Sequence, residues 1–260
     1  MLAAFFISVR LAALLLLTPA LSPSQVPPSV RVLLVLGLSA NLALGFAFSQ
    51  SDMPTVMPTD QAGIAMAVLT EAALGAVMAL SVQLAFGAFS LAAALLDLQI
   101  GFGMAAVFDP VTRRQLPIVT TAMNLVAAMV FLLVNGHHAL LRGVAFSLEH
   151  FPPGHPWAVE PVYGVLMKKV ASLFGLGFSL AAPVACCLLF VEFTLGVISR
   201  NLPQMNIFVV GIPAKIVAGM IALAVWYGGA GVFMARIYQS IYSGWDEMFG
   251  VAKLRSNDGW

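Results

Sequence analysis

The stretch EAALGAVMALSVQLAFGAFSLAAALLDLQIGFGMAAVFDP, residues Glu71 to Pro110, decides the class of this protein. Three charged side chains interrupt it: Glu71, Asp97 and Asp109. A helix that crosses the hydrocarbon core of a membrane needs about 20 apolar residues, so this run is too long for one crossing. Gly101 and Gly103 give it a place to bend or break, and Pro110 stops it because the residue before a proline disfavours the helical region.

The composition of the whole chain extends this conclusion. Of its 260 residues, 61% are hydrophobic and 9% are charged, and the mean hydropathy is +0.98. Soluble domains carry about 25% charged residues, so this chain could not cover a water-facing surface. The formal net charge of +1 gives no basic face for nucleic acid. The sequence therefore predicts an all-α integral membrane protein.

Six apolar stretches are predicted to be helices. They run over Ala3–Leu17, Val30–Phe48, Ala62–Phe108, Leu116–Val134, Tyr163–Ile198 and Ile207–Tyr242. The first lacks a basic leader and is interrupted by Arg10, so we expect a retained helix rather than a signal peptide. Pro183 is expected to kink the fifth. ALLRGVAFSLEHF after the fourth is expected to form an amphipathic turn or short helix, and GVAKLRSNDGW a mobile polar tail.

Charged side chains inside apolar helices are costly, so each is a candidate functional residue. They are Arg10, Glu71, Asp97, Glu192, Arg200 and Lys215, accompanied by the amides of Gln83, Gln99, Asn124 and Asn206. One hypothesis is a path for protons or ions. The favoured hypothesis is pairing, with one another or with polar groups of partner subunits, because no two acids stand four residues apart or in a compact cluster.

Two adjacent histidines, His137 and His138, follow the fourth stretch in NGHHALLRG. Adjacent helical residues point about 100° apart, so both side chains cannot easily face one metal ion. Zinc sites also need further ligands at suitable spacing, and none is nearby. We therefore expect a helix-end corner, in which the imidazoles sit near free carbonyls at the C-terminal end of the preceding helix.

Small residues recur along the apolar stretches and predict closely packed helices. They include Gly75, Gly87, Gly101, Gly103, Gly175, Gly177 and Gly196. An acid four residues before a glycine occurs twice, as Asp97 with Gly101 and Glu192 with Gly196. This repeated spacing is consistent with two related hairpin units, as in transporters with internal repeats. A proton-coupled secondary transporter of small solutes is therefore the alternative function.

Four blocks of sequence, in order, resemble one family. They are SVRLAALLLLTPALSPSQVPPSVRVLLVLGLS, the stretch from Glu71 to Pro110, FLLVNGHHALLRGVAFSLEHFPPG and RNLPQMNIFVVGIPAKIVAG. The chain resembles the FliR family, the R subunits of the flagellar type III export gate, whose virulence-type counterpart is SctT. RNLPQMNIFVVGIP favours the flagellar branch.

The resemblance implies a fold, partners and a location. About six long, kinked helices, packed as helical hairpins, would form a single export-gate domain over residues 1–260, with 251–260 as the tail. One R subunit would join about five P and four Q subunits, with the B subunit on the cytoplasmic side. The assembly would sit in the bacterial inner membrane and flagellar basal body, partly raised toward the periplasm. Unfolded export substrates would pass through its pore, and lipid would surround it.

The resemblance also implies a plug that helps to close the pore. The matching positions are Met104, Phe108, Asp109, Pro110, Val111, Thr112, Arg113 and Arg114. The alternative is an ordinary loop between helices. The six charges named above would then set the register between subunits or helices. No enzyme activity, cofactor or metal is expected.

Overall fold

The computed structural model describes residues 2–19, 27–49, 60–102, 117–154, 160–202, 204 and 207–257. Within these ranges the chain is almost entirely α-helical and contains no strand, which confirms the predicted all-α class. The proposed plug positions, Met104 and Phe108 to Arg114, lie outside the described residues.

The described ranges contain eight helices. They are α1 (Leu2–Leu17), α2 (Pro28–Ser49), α3 (Gln61–Ile100), α4 (Ile118–Leu133), α5 (Gly136–His150), α6 (Glu160–Asn201), α7 (Ile207–Gly229) and α8 (Gly231–Asn257). Each predicted apolar stretch coincides with one helix or with a pair of consecutive helices. The short amphipathic segment after the fourth stretch is helix α5.

Four of these helices are long and apolar enough to cross a membrane. The qualifying segments are Pro28–Gly45, Gln61–Ile100, Val162–Asn201 and Val209–Gly229. Helices α4 and α5 pass the same test together but are bent by 65°, and they make a fifth candidate when the bent pair counts as one span. Both length and composition therefore support an integral membrane protein.

One long helix ends where its sequence predicts, and another continues through a proline. Helix α3 ends at Ile100, and Gly101 follows with φ of 97°. Only glycine adopts that left-handed conformation without strain, so the break falls at one of the two glycines that the sequence predicts. Helix α6, in contrast, runs on through Pro183 for 42 residues.

The prediction of one helical stretch over Ile207–Tyr242 is wrong. Helix α7 ends at Gly229, Ala230 lies in a turn, and α8 begins at Gly231. Glycine is about 1 kcal/mol less favourable than alanine in a helix, and three glycines at positions 228, 229 and 231 surround this turn. The hydropathy pattern did not indicate the turn, because the segments on both sides of it are apolar.

The chain divides into two compact units. The first comprises Met1–Ala85, Phe131–Val170 and Tyr238–Trp260. Its core contains Phe6, Leu74 and Trp245, all at most 2% exposed. An aromatic group supports this core, because the rings of Phe146 and Phe151 each lie 5.9 Å from the ring of Phe249, centre to centre.

The second unit comprises Phe86–Val130 and Ala171–Ile237. Its helices approach closely at glycines: a Cβ atom on Gly87 would lie 3.0 Å from Leu173, and one on Gly177 would lie 2.8 Å from Leu91. Such contacts are typical of helix pairs in membranes. Other glycines expected at tight contacts, Gly175 and Gly196, have open space around them within the described part of the chain.

Candidate functional site

The guanidinium group of Arg10 lies at the centre of a buried polar cluster in the first unit. Its Nε and Nη2 atoms donate to the two carboxylate oxygens of Glu71 at 2.7 and 3.1 Å. Nη1 donates to Ser147 Oγ at 2.9 Å, and Nη2 also donates to the Phe151 carbonyl oxygen at 3.0 Å. Arg10 is 1% exposed and Glu71 is 2% exposed.

Four elements supply the polar groups of this cluster. Arg10 comes from α1, Glu71 from α3 and Ser147 from α5, while the turn after α5 supplies the Phe151 carbonyl. That turn also supplies the Gly154 N–H, which donates to Glu71 Oε1 at 3.0 Å. A bidentate Arg–carboxylate contact with further hydrogen bonds is the geometry that best offsets the desolvation cost of a buried ion pair. The cluster can therefore hold the three helices in one arrangement.

Gly75 explains why α1 comes close enough for this contact. It lies one turn after Glu71 on the same face of α3. A Cβ atom there would overlap the Arg10 carbonyl oxygen and lie 2.8 Å from the Ala13 Cβ. A side chain of any size at this position would push α1 away from α3. The glycine and the ion pair thus belong to one helix–helix contact.

Asp97, the acid in the last turn of α3, lies in the second unit and contacts the start of α4. Its Oδ1 accepts from the Val119 N–H at 3.0 Å, and its Oδ2 accepts from the Thr120 N–H at 2.9 Å. The Thr120 hydroxyl also donates to Oδ2 at 2.6 Å. Asp97 is 8% exposed, so its charge is satisfied within the chain by the N-terminus of a neighbouring helix.

The last predicted charges lie on the two helices that follow. Lys215 Nζ of α7 donates to Glu192 Oε1 of α6. The Glu192 side chain is 45% exposed, Lys215 is half-buried, and Arg200 is exposed near the end of α6. These three side chains are therefore not buried within the chain itself. Their burial against another subunit stays a prediction.

The predicted corner at the histidines is present, but the histidines lie at the start of the helix after it and not at the end of the helix before it. Asn135 turns the chain with φ of 57° and ψ of 34°, and α5 begins at Gly136. His137 and His138 therefore occupy the first turn of α5 rather than the last turn of α4. Both are exposed, with ring centres 4.2 Å apart. The prediction missed this because the sequence does not reveal the left-handed conformation of Asn135.

Two of the predicted amides, Gln83 and Asn124, lie at contacts between helices. Gln83 Nε2 donates to the Leu17 carbonyl oxygen at 2.5 Å, at the end of α1. Asn124 Oδ1 accepts from the Ser90 hydroxyl at 2.8 Å, which joins α3 to α4. Asn206 lies outside the described residues. The described side chains include no group of three or more His, Cys, Asp or Glu that could hold a metal ion.

Sequence reasoning missed five partners of the charged groups. They are Ser147, the Phe151 carbonyl, the Gly154 N–H, the Val119 N–H and Thr120. Serine and threonine are common in apolar helices, so neither stood out by residue type. The turn after α5 offered one usable signal, because FPPG places a glycine where Gly154 adopts φ of 85°.

Comparison with known proteins covers most of the chain. The family described as "Bacterial export proteins, family 1" matches residues 1–241. The flagellar biosynthetic protein FliR of Bacillus subtilis (strain 168) is 30% identical over 223 residues, which cover 84% of this chain and 83% of that protein. FliR of Escherichia coli (strain K12) is 26% identical over 239 residues, 92% of this chain and 89% of that protein. FliR of Caulobacter vibrioides is 22% identical over 238 residues, with 92% and 93% covered.

Proposed function

The chain belongs to the FliR family of bacterial export proteins, and from that premise we propose that it is a pore-forming subunit of the flagellar type III export gate. The family and the candidate membrane spans make it a membrane component of the flagellar export apparatus. Our proposal adds the pore, its closure and the arrangement of partners.

An ion pair on an exposed apolar surface carries the proposal. Glu192 stands between Phe190 and Phe193 on α6, and both phenylalanines are more than 70% exposed. Acids and bases in membrane segments normally face a bundle interior or a water-filled cavity, because lipid solvates them poorly. The α6–α7 pair therefore has a surface that suits protein neighbours or a pore better than lipid.

The proposed partners follow the family. About five P subunits and four Q subunits assemble with this one R subunit, and the B subunit binds on the cytoplasmic side. Unfolded export substrates pass through the resulting pore. The assembly sits in the inner membrane within the basal body, with part of it raised toward the periplasm. Lipid contacts the outer apolar helices.

The charged side chains divide into two proposed roles. Arg10, Glu71 and Asp97 fix the fold of this subunit, because they are buried and their partners lie in the same chain. Glu192, Lys215 and Arg200 set the register against neighbouring subunits, because they lie on exposed or half-buried surface in apolar helices. Charged groups at interfaces favour one alignment over others by penalising unpaired alternatives.

Closure of the pore is proposed to depend on residues 104–114. Met104 and Phe108 supply apolar side chains for a seal, and Pro110 restricts the backbone torsions of the segment. Arg113 and Arg114 follow at its end. The proposed plug rests on the family resemblance and on this chemistry.

Ion conductance tests the proposed closure. Residues 108–114 are replaced by a Gly/Ser segment of equal length, and the same replacement of residues 52–58 is the matched control. In membranes that contain the assembled gate without substrate, we expect the first variant to leak ions and the second to remain closed. Wild-type conductance in the first variant, at an equal amount of assembled gate, would contradict the plug.

A further inference from the structure

Helices α1 and α2, which both belong to the first unit, form a groove on the surface of the chain. Its volume is about 300 Å³, and its lining includes Ser8, Ala12, Leu16, Arg31 and Val35. Ser8, Ala12 and Leu16 follow one another at intervals of four residues on α1, so they share one helix face. Arg31 and Val35 stand four residues apart on α2 in the same way. The groove is therefore a strip between two matching helix faces.

The groove is long and narrow. Ser8 and Leu16 are eight residues apart, which is about 12 Å along a helix. Over that length the volume corresponds to a cross-section of about 25 Å², whereas a helix about 10 Å wide has a cross-section of about 80 Å². A single flexible hydrocarbon chain therefore fits the groove, and a helix of another subunit is too wide to enter it.

One end of the groove is cationic, and the rest is apolar. The Ser8 hydroxyl donates to the Phe5 carbonyl oxygen of its own helix at 2.6 Å, so it needs no partner in the groove. Among the described residues of the lining, Arg31 alone is charged, and neither α1 nor α2 contains an Asp or Glu. Arg31 lies in the first turn of α2, where the helix dipole is positive. This end of the groove therefore favours an anion.

The position of Arg31 matches the depth of lipid headgroups. It is the fourth residue of the candidate span Pro28–Gly45, and long basic side chains near the end of a span extend to the headgroup region. Val32 and Leu36, which also line the groove, are each more than half exposed on the apolar surface of α2. The cationic end thus lies among headgroups and the apolar part among acyl chains.

We propose that this groove binds a phospholipid with an anionic headgroup, with the phosphate on Arg31 and one acyl chain between α1 and α2. Basic pockets between membrane helices bind such headgroups. Arginine suits the phosphate because its guanidinium group donates two parallel hydrogen bonds. Ala12 suits the acyl chain because its small side chain leaves room at the centre of the groove. The site requires a surrounding membrane and does not depend on residues 104–114 or on a pore.

Crosslinking from the lipid locates the site. The full chain, alone and together with the P and Q subunits, is placed in phosphatidylcholine vesicles that contain phosphatidylglycerol with a diazirine midway along one acyl chain. We expect crosslinks at residues 8–16 and 31–36, unchanged when inorganic phosphate is added. Crosslinks found only elsewhere would overturn the site, and displacement by phosphate would assign it to a free anion instead. Loss of the crosslinks on assembly would show that a subunit covers the groove and would overturn lipid as its occupant.

Removal of the charge tests the headgroup contact. Arg31→Gln is compared with Arg142→Gln, which removes the same charge from an exposed position on α5. Native mass spectrometry of the full chain measures the affinity for phosphatidylglycerol relative to phosphatidylcholine. We expect this preference to fall about fivefold for Arg31→Gln, since one basic residue near an anionic membrane contributes roughly that factor, and to persist in Arg142→Gln. An unchanged preference in Arg31→Gln, or an equal fall in both variants, would overturn the inference.

Filling the groove tests the acyl-chain contact. Ala12→Phe places a large side chain at its centre, and Ala65→Phe, at an exposed alanine of α3 in the same unit, is the matched control. We expect Ala12→Phe to lose the crosslinks at residues 31–36 and Ala65→Phe to keep them. Wild-type crosslinking in Ala12→Phe would contradict an acyl chain in the groove. Should Ala12→Phe fail to fold, the wild-type crosslink positions and the Arg31→Gln comparison decide.

Discussion

At the scale of single residues, the buried ion pair of Arg10 and Glu71 joins α1, α3, α5 and the turn after α5 in the first unit. Moving two charges out of water costs several kcal/mol for each ion, and their attraction offsets this only with good geometry and further hydrogen bonds. Here Ser147, the Phe151 carbonyl and the Gly154 N–H supply those bonds. Removing one partner should therefore be much worse than removing both.

Substitution of the pair gives the first test. Arg10→Met leaves the Glu71 carboxylate buried without a counter-charge, so we expect a loss of about 3–5 kcal/mol of folding stability. Arg10→Met combined with Glu71→Leu removes both charges and should be substantially less destabilised than the single variant. Stability is followed by thermal unfolding in detergent, with the amount of monodisperse chain as readout. A double variant as unstable as Arg10→Met would show that the uncompensated charge is not the cause.

The pairing itself was not predictable from the sequence. Arg10 and Glu71 are 61 residues apart, and spacing rules apply only within a helix or a hairpin. The sequence predicted that charges in apolar helices would find partners, since an unpaired one is too costly. Which charge meets which depends on how helices pack, and that is a property of the fold.

At the scale of helices, close approach is set by small residues at a few positions. The contact between α1 and α3 needs Gly75, whereas Gly37 and Gly45 on α2 have open space around them. Sequence alone does not distinguish a glycine at a close helix contact from one with open space around it, because both occur in apolar helices. The partner helix decides which glycine is required.

Alanine substitution of these glycines gives the second test. An alanine raises helix propensity by about 1 kcal/mol at either kind of site. At Gly75 the added methyl group meets the Arg10 carbonyl, a backbone atom that cannot move without shifting α1, and overpacking typically costs about 1–3 kcal/mol. We expect Gly75→Ala to lower the unfolding temperature, while Gly37→Ala leaves it unchanged or raises it. Equal behaviour of the two variants would argue against a required contact at Gly75.

Helix existence was predictable from apolar runs, but the turn at Ala230 and the start of α5 at Gly136 were not. The break at Gly101 follows from a glycine at the end of a run that exceeds one membrane crossing. The turn at Ala230 lies inside a continuous apolar run, so hydropathy gave no sign of it. The left-handed conformation of Asn135 forms the corner, and the histidines lie in the first turn of the helix that follows.

At the scale of the whole molecule, much apolar surface is left for neighbours. The segments Pro28–Gly45 and Val209–Gly229 are mainly exposed, with 11% and 17% of their residues buried. Lipid can cover a purely apolar helix, but it solvates charged groups such as Glu192 and Arg200 poorly. The proposed heteromer provides protein neighbours for both.

Arg200 gives the third test, at the level of assembly. We expect Arg200→Ala to lower the amount of complex recovered with the P and Q subunits, because it removes a charge at an exposed helix end that we propose sets register between subunits. Arg142→Ala, at an exposed arginine on α5, is the control and should assemble normally. Substrate choice should change less than assembly. An intact complex with altered substrate selection would contradict this role.

Native mass spectrometry of the detergent-extracted chain, produced together with the P and Q subunits, tests the central claim most directly. The account predicts one copy of this chain in a large complex with about five P and four Q subunits. A monomer or homodimer that binds a small solute and fails to capture the other subunits would contradict it and support a secondary transporter.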